Sequence, residues 1–192
     1  MSILFQTERL IIRNWEPEKD APQAFQIYGD PDVMCFISPP IETVEAVCSR
    51  LQERVERDKI RNNGTGSWAV VEKETEEIIG AVLLVLLPDN DGIPTTNYEI
   101  GWHFRKASWG KGYATEAAKQ ILGYAFTILR LPVIYAVVKP ENERSIRVTQ
   151  RLGMKPLGRT NEYYGVELLL FELKATDYYA KISQDNLNNP IH

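Results

Sequence analysis

A chain of 192 residues, 44% hydrophobic and 25% charged, is long enough to bury a core without cross-links and too apolar for intrinsic disorder. Its formal net charge of −4 argues against a nucleic-acid binder, whose footprint is basic. Two cysteines, Cys35 and Cys48, are too few for a disulfide framework, and with His103 and His192 as the only histidines no zinc-binding spacing exists.

Met1–Leu10 lacks the basic region and apolar run of a signal peptide. The longest apolar run, Ile78–Leu87, contains Gly80, stops at Pro88 and is too short to span a bilayer. The expected location is cytoplasmic.

In chain order, Glu8–Trp15 reads as a short strand. A helix follows, with Asp20 placed to cap it and an end near Gly29. The proline-rich stretch "PDVMCFISPP" reads as an irregular loop. From Ile41 the apolar positions Ile41, Val44, Val47, Cys48, Leu51 and Val55 mark an amphipathic helix, and Arg50, Arg54, Arg57 and Arg61 read as its solvated face.

"GSWAVVEK" and "EIIGAVLLVLL" are two strands joined by a polar turn, and "PDNDGIPTT" is a loop. "NYEIGWHF" is a further strand whose Gly101 predicts a bulge or a close backbone approach. The spacing of Ala114, Ala117, Ala118, Ile121, Leu122, Ala125, Ile128 and Leu129 is the clearest helix in the chain. The run Val133–Val138 predicts a strand buried on both faces.

Asn142 is a natural cap for a helix to Leu152, and Gly153 a natural stop. Two strands follow, around Met154–Glu162 and Val166–Leu173, and Asp185–His192 reads as a frayed tail. The expected organisation is one α/β (α+β) domain over residues 1–180, with a mixed, mostly antiparallel sheet flanked by helices, and a tail over 181–192.

The stretch "SWGKGYATEAA", Ser108–Ala118, places loose backbone directly before a helix. Gly110 and Gly112 permit a tight turn and close approach of a ligand to the main chain. The first amides of a helix lack internal partners and sit at the positive end of its dipole, which makes an anion site. Arg105, Lys106 and Lys111 lie near enough in sequence to add charge. The other reading is a glycine-rich turn with no ligand. A dinucleotide fingerprint is excluded because Thr115 stands where its third glycine belongs, and no Walker spacing exists.

"NYEIGWHFRKASWGKGYATEAAKQIL", followed by "VVKPENERSIRVTQRLGMKPLG", resembles the GCN5-related N-acetyltransferase (GNAT) superfamily. With the head "TERLIIRNWEPEKD", it is similar to the ribosomal-protein-alanine N-acetyltransferase branch and its small-molecule relatives, over roughly residues 7 to 175. The resemblance implies acetyl-CoA as cosubstrate, with its pyrophosphate on the amides of Gly110, Lys111, Gly112, Tyr113 and Ala114 and the adjoining Thr115. Trp109 stands where many relatives have Arg or Gln. Trp102, Phe104 and Arg105 are expected to meet the pantetheine arm through main-chain groups, beside a splay at Gly101. Asn142 and Ser145 are expected near the pantetheine and the sulfur, while as plain residues they read as a cap and a first-turn serine.

Acyl transfer to an amine needs a base, because lysine (pKa near 10.4) and α-amines (near 8) are mostly protonated at pH 7. Glu99 is the candidate, provided burial raises its pKa; the other reading is a strand glutamate paired with a surface cation. His103 is a second candidate. Thr149 occupies the position where many relatives carry a tyrosine acid, so Ser145 is left to assist the leaving sulfur, and a strand amide near Trp102 or His103 to polarise the carbonyl.

The acceptor, a protein N-terminus or a small-molecule amine, is not specified. Tyr163, Tyr164, Trp15, Phe36 and Trp68 are the aromatic candidates to line its pocket. The alternative function is a non-catalytic acyl-CoA-binding module on the same fold. No metal and no membrane partner is expected, and the assembly is monomer or homodimer.

Overall fold

The computed structural model describes residues 3–188, and their side chains over residues 4–184. Its eight strands are β1 (Ile3–Gln6), β2 (Leu10–Arg13), β3 (Gly66–Glu72), β4 (Ile78–Pro88), β5 (Pro94–Phe104), β6 (Val133–Val138), β7 (Lys155–Thr160) and β8 (Leu168–Lys174). They are hydrogen-bonded in the order β1-β2-β3-β4-β5-β6-β8-β7. The β5–β6 pair is parallel, while β1–β2, β2–β3, β3–β4, β6–β8 and β7–β8 are antiparallel. The helices are α1 (Pro17–Tyr28), α2 (Pro31–Met34), α3 (Val44–Arg61), α4 (Tyr113–Thr127), α5 (Glu143–Leu152) and α6 (Ala175–Asn188). The mixed sheet and the flanking helices agree with the expected α/β class.

The chain's contacts fall into two compact units. The first takes the chain up to Val85 and Ile100–Ile121. Its core forms where α1 and α3 lay apolar faces on the sheet: Trp15, Ala24, Ile27, Tyr28, Leu51 and Val71 are buried together. α1 starts with Pro17 in its first turn, where a missing N–H costs nothing. Asp20, expected to cap the helix, lies inside it. Its carboxylate instead accepts the Glu16 amide at 2.7 Å and pairs with Arg13 at 2.6 and 2.9 Å.

Both partners of that pair are about 5% exposed. A buried ion pair that loses one member leaves an uncompensated charge. Asp20→Ala is therefore expected to lower unfolding stability by about 3 kcal/mol, read as a shift of the urea midpoint.

α3 begins at Val44 because Thr43 caps it, its hydroxyl accepting the Ala46 amide at 3.1 Å. Arg54, read as solvated, turns inward instead. It donates to the Tyr28 hydroxyl at 2.7 Å and lies 4.7 Å from that ring's centre. The stretch Pro31–Met34, read as loop, is a short helix capped by Asp30. At Gly101 a Cβ would sit 3.0 Å from the Leu83 side chain, so the crowding there comes from a neighbouring side chain rather than from the backbone approach expected.

The second unit takes Leu86–Glu99 and the chain from Leu122. β6 does not bury both faces as expected; Ile134, Ala136 and Val138 are buried and the alternate residues only partly so. β7 and β8 form a hairpin whose connection holds Tyr163, packed with Leu87 and Leu168. α6 was not foreseen. It places Tyr178 4.9 Å from Phe126, and the Tyr179 hydroxyl donates to the Phe126 carbonyl. Asp185–Asn188 close this helix, and the rest of the expected tail lies outside the described residues.

Candidate active site

In the first unit β5 ends at Phe104, a 3-10 turn covers Lys106–Ser108, and α4 starts at Tyr113. Gly110 and Gly112 have φ of +77° and +83°, a region that L side chains rarely adopt. A Cβ built on Gly110 meets nothing within 4 Å, and one on Gly112 meets only Arg9 Nη2, at 3.5 Å. The space before both glycines is therefore open. The first helical bond of α4 runs from the Glu116 amide to the Gly112 carbonyl, so the amides of Tyr113, Ala114 and Thr115 precede the internal ladder. Thr115 Oγ1 is buried with no hydrogen-bond partner. Free amides, open glycines and an orphaned hydroxyl at one helix start fit a phosphate group.

The loop is braced from β1–β2. Arg9 donates to the Lys111 carbonyl at 3.0 Å, stacks 4.6 Å from the Tyr113 ring centre, and holds Glu116 at 2.6 Å. Burial pushes the Glu116 carboxyl up, but bonds from Thr7 and Arg9 outweigh it and leave the group ionised. The charge of that carboxylate is thus met by Arg9 rather than set against an incoming anion. The Tyr113 hydroxyl donates to Glu72.

Other expected contributors are committed elsewhere. Trp109 donates its indole N–H to the Phe104 carbonyl at 2.8 Å and packs on the core, so its side chain braces the turn. Arg105 pairs with Glu77 at 2.5 Å and Lys106 with Asp32, which removes both as free cations for the loop. The Arg105 amide donates to the Ile79 carbonyl, leaving only its own carbonyl for a ligand. Lys111 is exposed and has no ion-pair partner among the described residues. Phe104 is buried and Trp102 partly so.

His103 is displaced as a base by its surroundings. Burial, with the charge of Arg54, pulls its pKa down to about 3. Its ring meets Tyr28 edge-on at 5.9 Å. An imidazole of that acidity is neutral at pH 7 but too weak to take an amine's proton.

Glu99 lies in the second unit, on β5, and is 8% exposed. It forms a parallel register pair with Tyr135 of β6. Burial raises its pKa to about 7, against a lowering bond from Tyr164. The Tyr164 hydroxyl donates to Glu99 Oε2 at 2.5 Å. No surface cation pairs with it among the described residues. A carboxyl poised near neutrality suits general-base work.

Asn142 caps α5, its Oδ1 accepting the Ser145 amide at 3.2 Å, and Gly153 ends that helix at φ +79°. Ser145 is partly buried in the first turn. Thr149 is fully buried and bonds the Ile146 carbonyl at 2.8 Å, so its hydroxyl is spent within the helix. Among the aromatic candidates, Trp15, Trp68 and Tyr163 are core, while Tyr164 reaches the acid. Only its aromatic character was legible in sequence, because 65 residues separate it from Glu99.

Comparison with known proteins bears on these features. Residues 9–155 match the family model described as the acetyltransferase (GNAT) domain. The chain is 30% identical to an uncharacterized N-acetyltransferase, p20, of Bacillus licheniformis over 178 residues, 90% of this chain and 96% of that one. Its structure is similar to a GNAT-family acetyltransferase from Bacillus anthracis (TM-score 0.74, 26% identity, 92% of this chain and 99% of that one). It shares the fold of the ribosomal-protein-S5-alanine acetyltransferase from Vibrio fischeri (TM-score 0.72, 22% identity, 92% and 99%).

Proposed function

The chain belongs to the GNAT acetyltransferase family and is an acyltransferase, and from that premise we propose that it moves the acetyl group of acetyl-CoA to a primary amine, a protein N-terminal α-amine or a small-molecule amine. The observation that carries the donor is the start of α4, with open space at Gly110 and Gly112 and an orphaned Thr115 hydroxyl. The amides of Gly110, Lys111, Gly112, Tyr113 and Ala114 would hold the pyrophosphate, with Thr115 Oγ1 as a side-chain donor and Lys111 adding charge. The main chain at Trp102 and Phe104, and the Arg105 carbonyl, would take the pantetheine arm as a sheet edge takes a strand.

Acetyl-CoA supplies a thioester, whose C–S bond is exchanged for the C–N bond of the product. Glu99 takes the proton that the attacking amine must lose, directly or through one water. At pH 7 a carboxyl with a pKa of about 7 is about half ionised, enough to act and basic enough to matter. Thr149 gives no proton to the departing thiolate, since its hydroxyl is bound within α5. Asn142 and Ser145 would orient the arm, with the Ser145 hydroxyl as the candidate to assist the sulfur. A thiol with pKa near 8.5 leaves without strong help.

The acceptor branch is proposed from the head of the chain and the shared fold with the ribosomal-protein enzyme. The cytoplasm is proposed as the compartment; among the described residues no helix is long and apolar enough to cross a membrane.

Thermal unfolding tests the donor. At a hundred times the dissociation constant a ligand stabilises by about 2.7 kcal/mol. Acetyl-CoA and CoA are expected to raise Tm by several degrees while NADH and ATP do not. An equal or larger shift with NADH or ATP would count against a CoA site.

A further inference from the structure

The β7–β8 connection is stapled in place at three points. The Asn90 side-chain amide donates to the Asn161 carbonyl at 2.8 Å, and its oxygen accepts the Gly165 amide at 3.0 Å. Asn97 donates to the Tyr163 hydroxyl at 2.9 Å, and Tyr163 is buried beneath the connection with Leu87 and Leu168. Between these anchors Tyr164 stands at φ +59°, in a conformation rare for a residue with a side chain. It is 47% exposed, so core packing does not explain it. What the conformation achieves is to bring its hydroxyl onto Glu99 Oε2. Backbone strain held by surrounding bonds is a mark of a functional position.

We propose that Tyr164 is a positioning residue for Glu99, its hydroxyl fixing Oε2 so that Oε1 is the oxygen that takes the acceptor's proton, with Asn90 as the latch that keeps the connection closed. The proposal rests on Glu99 being the base. Among the described residues Oε1 has no hydrogen-bond partner, and it is not sealed from solvent. Tyr164 remains a donor throughout the working range, because burial and the adjacent Glu99 push its phenol well above the ordinary value. The phenols of Tyr135 and Tyr163 stand near this face, with the charged Glu172 and Lys174 beside Tyr135. Tyr135, across the register pair, is held up by burial and by Glu172, and Tyr163 is bonded to Asn97. Asp89 and Asp91, in the β4–β5 loop, are the nearest acids in sequence to the Asn90 latch, and Asp89 is turned back onto the Asp91 and Ile93 amides.

The bond from Tyr164 favours the ionised carboxylate, so removing it must raise the Glu99 midpoint. The full chain with 13C-labelled glutamate is titrated by carboxyl NMR, with E99Q identifying the Glu99 signal. Wild type is expected to titrate near 7. Y164F is expected to titrate about one pH unit higher, and N90A to move in the same direction by less. The acidic limb of CoA-thiol release, with spermidine or an alanyl peptide as the probe amine, is expected to move with it. A wild-type midpoint near 7 that Y164F leaves unchanged overturns the role of Tyr164. A wild-type midpoint in the ordinary carboxylate range overturns Glu99 as the base, and acetyl-CoA shifts measured on the same samples report separately on the donor.

Discussion

Glu99→Gln is expected to cut kcat/KM by roughly 10²–10⁴-fold, the usual worth of a positioned general base. The substitution keeps shape and retains an oxygen for the Tyr164 hydroxyl, so the loss reports on the proton rather than on packing. In the wild-type enzyme kcat/KM is expected to rise with pH until about 7 as Glu99 ionises, on top of the acceptor's own titration. In E99Q the Glu99 limb disappears and the amine's titration is left.

The same substitution is expected to stabilise the protein above neutrality. The folded pKa of Glu99 is about 7 against an ordinary value of 4.5. Between those values the native state holds a proton that the unfolded state has lost, so stability falls as pH rises through this window and is flat above it. The difference amounts to about 3 kcal/mol at pH 8. Glutamine never bears that charge, so E99Q should melt several degrees higher than wild type at pH 8 and nearly together with it at pH 4. Gain of stability with loss of activity is the pattern of a site kept for function. Activity retained within twofold in E99Q would remove Glu99 from the chemistry.

The helices and strands with strong periodicity were legible in sequence, and so was the glycine loop. α3 and α4 follow from apolar spacing, and α5 from the cap at Asn142 and the stop at Gly153, while the Thr43 cap that starts α3 at Val44 was not read. What failed has a common cause: a local cue was overridden by a distant partner. Asp20 reads as a cap, but Arg13 draws it into a buried pair. Arg54 sits in a run of charges that reads as solvated, but Tyr28 offers its ring and hydroxyl. Arg105 and Lys106 look free beside the loop until Glu77 and Asp32 are placed in space. Glu99 was identifiable as a candidate, but its environment was not, since burial and the Tyr164 bond are tertiary facts.

Gly110→Ala is expected to separate binding from folding at the start of α4. The added methyl meets no protein atom within 4 Å, so the cost to the free protein is confined to backbone strain at φ +77°, about 1–2 kcal/mol. A pyrophosphate resting on these amides would meet that methyl, and the loss of one charge-assisted bond is worth about 2 kcal/mol, or about 30-fold in Kd. At a concentration that gave 2.7 kcal/mol of stabilisation in wild type, the variant would then gain about 0.9 kcal/mol. For a chain of this size the acetyl-CoA shift should shrink from roughly 8 °C to roughly 3 °C. Gly112→Val adds branching at φ +83° and a Cβ 3.5 Å from Arg9 Nη2, so it should lose the shift entirely and also loosen the Arg9 brace. The contrast between the two matters more than either alone. A protein that folds with G110A, melts within a few degrees of wild type and still shows the full acetyl-CoA shift would carry the pyrophosphate somewhere other than this loop.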